Sequence, residues 1–67
     1  MNFAIRLKEL REEKQISQKK LADATGISQS AIARWELNQA EPTTTPIIKL
    51  AKFFGVSTDY ILGVSEY

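Results

Sequence analysis

SQKKLADATGISQSAIARWE, residues 17 to 36, is the stretch that decides the fold. Ser17 offers a hydroxyl to the start of a helix beginning at Gln18, where the first backbone N–H groups have no helical partner. Leu21, Ala22 and Thr25 are spaced to share one side of that short helix. Gly26 can take positive φ at little cost, which ends the helix and turns the chain sharply. Ile27 is expected to plug the turn, and Ser28 repeats the capping chemistry for another helix. There Ala31, Ile32 and Trp35 form an inward arc, while Gln29, Ser30, Ala33 and Arg34 form an outward one. The outward arc has the size and polarity to read base edges.

Toward the N-terminus, Asn2 is a cap for a first helix of about three turns whose apolar positions are Phe3, Leu7 and Leu10. Arg6, Lys8, Glu9, Glu12 and Glu13 are expected on its wet side, with fraying near Lys14 and Gln15 before Ile16 folds back on the core. Downstream, Asn38 suits a left-handed end to the third helix, and Gln39 to Pro42 read as an ordered loop. Thr43 is preferred to Thr44 and Thr45 as cap of a fourth helix, since Pro46 is tolerated in a first turn. Its buried stripe is Ile47, Leu50, Ala51 and Phe54, with Ile48 at the margin. Gly55 ends it, Val56 packs inward, and Ser57 caps a fifth helix with Asp59 in its first turn and Tyr60, Ile61 and Leu62 as its apolar side. Gly63 terminates that helix. The expectation is one all-α, five-helix domain over residues 1–63, with 64–67 a short tail or the start of a linker.

Composition narrows the function. A chain of 67 residues has room for one hydrophobic core and no second. Without cysteine or histidine it has no disulfide, no thiolate or imidazole metal ligand and no imidazole base. Ser28, Asp23 and the glutamates therefore form no catalytic or metal constellation, so neither enzyme activity nor a cofactor or metal is expected. Nine Lys and Arg against eight Asp and Glu leave a net charge of +1, uninformative about nucleic acid as a total. The distribution says more, since Arg6, Lys8, Arg11, Lys14, Lys19 and Lys20 face only Glu9, Glu12 and Glu13 within the first twenty residues. No apolar run approaches the ~20 residues that cross a bilayer, and the start lacks the marks of a signal peptide, so a cytoplasmic protein with no membrane partner is expected.

Residues 17 to 36 closely resemble the helix-turn-helix of the phage-repressor and Cro type, the lambda-repressor-like DNA-binding domains. RLKELR, residues 6 to 11, is similar to that family's first helix, and IIKLAKFFGVSTDYILG, residues 47 to 63, to its fourth and fifth. The resemblance implies that Gln18 anchors a DNA phosphate, with Lys19 beside it on the backbone. It implies that Gln29 and Ser30 enter the major groove, with Ala33 and Arg34 further along the same reading face. Arg11 and Glu36 match a pair that joins the first helix to the end of the third, structural first, with Arg11 near the DNA backbone. Gly26 and Trp35, with Ala22, Ile27 and Ile32, match the packed centre that sets the angle between the motif helices. The loop after the third helix departs from the family. Asn38, Gln39 and Ala40 stand where Gly and basic residues are common, so contacts there at Asn38 and Gln39 would lean on backbone N–H groups.

The function implied is sequence-specific binding of double-stranded DNA in transcriptional regulation, as a repressor that sits as a homodimer on a partly palindromic operator. Dimer contact is expected around the fifth helix, Tyr60 to Val64. The rival is an antitoxin or protein-interaction module on the same fold, which would gather Leu37, Val64 and Tyr67 into an apolar patch. A DNA reader instead needs an exposed Gln29, Ser30 and Arg34 face flanked by basic groups.

Overall fold

The computed structural model describes residues 3–64. It has five helices and, among the described residues, no strand: α1 (Phe3–Glu13), α2 (Gln18–Thr25), α3 (Gln29–Glu36), α4 (Thr44–Phe54) and α5 (Thr58–Leu62). The expected all-α architecture is the one found. α1 packs against α3 and α5, α2 against α3 and α4, and α4 against α5. Leu7, Leu21, Ile32, Leu50 and Ile61, one from each helix, are fully buried at the centre.

Serine caps start three of the helices as the sequence foretold. The hydroxyls of Ser17, Ser28 and Ser57 accept from the N–H of Lys20, Ala31 and Tyr60 at 3.0, 3.2 and 3.0 Å. Thr43 is the residue preceding α4 in extended conformation, yet its side chain makes no capping bond. The expected cap position therefore holds without its expected chemistry. The cap proposed at Asn2 lies outside the described residues.

Helix ends follow one device. Gly26, Gly55 and Gly63 take φ of 75°, 70° and 82°, and Asn38 takes 59°. The frayed end expected for α1 is corrected here. Gln15 also takes a left-handed φ of 58°, and the N–H of Ile16 donates to the Arg11 carbonyl at 3.3 Å while that of Gln15 donates to Glu12 at 3.0 Å. That pair of bonds satisfies carbonyls a frayed end would leave bare. It also aims Ile16 back at the core. The same pattern closes α3 at Asn38, α4 at Gly55 and α5 at Gly63.

Two expectations of burial change. Arg6, expected on the wet side of α1, is buried, because α5 packs back on α1 and sets the Tyr60 ring under it. Its guanidinium carbon stands 3.9 Å from the ring centroid, while Nε has no hydrogen-bond partner among the described residues and lies 3.8 Å from the Glu9 carboxylate. In α4 only Leu50 and Ala51 of the expected stripe are fully buried. Ile47 and Phe54 are half-buried, as is Phe53, whose ring meets that of Phe54 edge-on at 5.1 Å and carries Lys14 Nζ at 5.7 Å. Ile48 is exposed, in keeping with its place at the margin. No described helix is long and apolar enough to cross a membrane.

Candidate nucleic-acid interface

The third helix is held from behind. Ile32 has no exposed surface and Trp35 only 6%, its ring meeting Phe3 of α1 edge-on at 5.8 Å and 69°. Two such anchors, three residues apart on one side of an eight-residue helix, fix which side faces out. Gln29, Ser30 and Arg34 are exposed on the other side, and Ala33 is half-buried at its edge. The outward arc is thus narrower than its four residues suggested, with one methyl group set back between polar side chains.

The turn that sets α2 against α3 is more elaborate than Gly26 alone. The Thr25 hydroxyl donates to the Leu21 carbonyl at 2.8 Å and accepts from the Ile27 N–H at 3.4 Å. It thereby satisfies backbone groups at the end of α2 and draws Ile27 in, where it packs half-buried on the core. Leu21 and Ala22 complete the buried side of α2.

Arg11 and Glu36 meet in the way the resemblance implied. Nε and Nη2 of Arg11 donate to the two Glu36 carboxylate oxygens at 2.7 and 2.9 Å, a bidentate pair, and Nη1 donates to the Ile16 carbonyl at 2.8 Å. Their side chains are 14% and 5% exposed. Gln18, assigned to a phosphate, donates Nε2 to Glu36 Oε1 at 3.1 Å. One carboxylate therefore joins the end of α1, the start of α2 and the end of α3. Burial pushes the Glu36 carboxyl up, but hydrogen bonds from Arg11 and Gln18 and the charges of Arg11 and Lys8 outweigh it and hold the group below its ordinary value. The bonds to Glu36 likewise raise Arg11 against the opposing effect of burial.

Around this frame Lys19 and Lys20 stand exposed at the start of α2, and Asn38 and Gln39 just past α3. Glu41 is the one charged residue between α3 and α4. Lys19 Nζ is paired with Asp23 Oδ2 at 3.3 Å, a contact the reading of the sequence passed over although its four-residue spacing was visible. Leu37 and Val64 are exposed, and the third member of the apolar patch, Tyr67, lies outside the described residues. Around α5, Ile61 is buried and Tyr60 and Leu62 half-buried, so these side chains chiefly close the core.

A helix-turn-helix family model matches residues 7–61. A prophage-derived HTH-type transcriptional regulator of Bacillus subtilis, YonR, is 40% identical over 60 residues, covering 90% of this chain and 56% of the regulator. The HTH-type transcriptional regulator ImmR of the same organism is 35% identical over 66 residues, covering 98% of this chain and 52% of its own length. The chain spans about half the length of these relatives. Among solved structures, the P22 c2 repressor in complex with a synthetic operator is similar with a TM-score of 0.88 at 29% identity, covering 97% of this chain and 98% of that one. The chain belongs to the helix-turn-helix family of phage-repressor and Cro type, the lambda-repressor-like DNA-binding domains.

Proposed function

We propose that this chain binds double-stranded DNA sequence-specifically as a transcriptional repressor, with two copies on a partly palindromic operator. One observation carries the reading: α3 is locked into the core through Ile32 and Trp35 while it presents Gln29, Ser30 and Arg34 to solvent. A helix anchored on one side and polar on the other can enter a major groove without disturbing the fold, and amide, hydroxyl and guanidinium groups match base-edge donors and acceptors. Gln29, Ser30, Ala33 and Arg34 are assigned to the bases. Gln18, Lys19, Asn38 and Gln39 are assigned to the backbone on either side. Arg11, with Nε, Nη1 and Nη2 held inside the protein, acts mainly by keeping α1 and α3 in register through Glu36.

The likeness to a repressor solved with an operator supports this reading. So does size: half-sites one turn apart are about 34 Å apart, and the domain's largest extent is 27 Å, so two copies fit side by side on one face of the duplex. Their contact is assigned to the α5 end, where Val64 is 72% exposed. A dimer so placed represses by occupying DNA that polymerase needs. Selection from random duplexes followed by gel shift tests the proposal. Recovery of an approximately palindromic site is the expected result. Failure to bind any duplex even at low salt would overturn it in favour of a protein-interaction module.

A further inference from the structure

We propose that Asp23 restrains DNA affinity by competing with phosphate for Lys19, setting how tightly the chain holds any duplex without affecting which sequence it prefers. This rests on the reading of α2 and α3 as the DNA-binding face. Lys19 Nζ and Asp23 Oδ2 are 3.3 Å apart one helical turn along α2, with side chains 72% and 68% exposed. Both line an open depression at the α2–α3 turn that is also lined by Ser28 and Gln29, the cap and first residue of α3. The carboxylate thus shares a surface with the first residue assigned to the bases. A phosphate engaging Lys19 must either displace Asp23 or sit beside its negative charge, well inside the ~10 Å screening length at 0.1 M salt.

An exposed ion pair is weak, so the competition restrains binding and does not block it. Phosphate carries no base identity, so the restraint falls equally on every sequence. Discrimination stays with Gln29, Ser30, Ala33 and Arg34.

The test measures binding of the wild type, Asp23→Asn, Lys19→Gln and the double variant to a duplex recovered by selection and to a scrambled duplex of equal length, over a range of salt. Asp23→Asn should tighten both duplexes by the same factor and steepen the dependence of log affinity on log salt by up to about 0.9 per protomer. At that limit the gain shrinks by about 3.5-fold per protomer between about 50 and about 200 mM salt. In the Lys19→Gln background the gain should largely vanish. Unchanged or weaker binding by Asp23→Asn would overturn the proposal, as would an equal gain without Lys19, or a gain on one sequence only, which would make Asp23 a base reader. If the wild type binds neither duplex, the reading of α3 fails as well; if it binds both and Asp23→Asn does not tighten them, this inference alone fails.

Discussion

Glu36 accepts hydrogen bonds from two side chains, and the consequences of removing each partner differ. Arg11→Ala strands a carboxylate that is only 5% exposed, and breaking such a buried pair from one side should cost about 3 kcal/mol. Replacing both members of the Arg11–Glu36 ion pair with methionine removes the unpaired charge as well, so Arg11→Met with Glu36→Met should recover most of that loss in urea unfolding. The depressed Glu36 carboxyl also fixes a pH dependence. A group whose folded pKa lies below its unfolded value contributes fully above the unfolded value and loses that contribution as pH falls through the folded one. The urea midpoint should accordingly decline below about pH 4.3, and Glu36→Gln should flatten that acid limb. Trp35→Ala acts by another route, emptying the space between α1 and α3, and should cost about 3–5 kcal/mol. A loss below ~1 kcal/mol would deny the ring its anchoring role.

At the scale of the helix, starts and ends alike were legible wherever a local residue marks them. Ser17, Ser28 and Ser57 were readable because a hydroxyl immediately before an apolar-periodic segment has one obvious use. Gly26, Gly55, Gly63 and Asn38 announced left-handed ends for the same local reason. Gln15 did not, because glutamine has no special ease at positive φ and is forced there by the tertiary need to return Ile16 to the core. Gln15→Gly should therefore stabilise the fold by about 0.5 kcal/mol, relief of the left-handed strain exceeding the added entropy of the unfolded chain. A lower thermal midpoint for the variant would contradict that account. Arg6 escaped the reading because its burial depends on α5, far along the chain, and a charged residue at a helix margin reads by default as solvated. Within the candidate interface the outward arc of α3 followed from periodicity alone. The three-way bond at Glu36 needed the fold, since Arg11, Gln18 and Glu36 lie on three helices.

Every helix contributes a residue to the core that holds α3, and in the proposed function that core offers a rigid α3 to a DNA groove. Arg34 is the sharpest probe of specificity at this scale. A guanidinium bidentate to guanine carries about 1–3 kcal/mol of discrimination, so Arg34→Ala should relax one symmetric operator position from guanine toward any base. A uniform loss across all single-base variants, with the salt slope reduced by about one, would make it a phosphate anchor. Backbone amide shifts of labelled protein, followed during titration with a duplex recovered by selection, test this placement of α3. The largest changes are predicted at Gln29, Ser30, Arg34 and the neighbouring Lys19, with little at Ile48 or Lys52 of α4. Changes concentrated instead at Leu37 and Val64, with the outward arc of α3 unmoved, would show that α3 does not enter the groove.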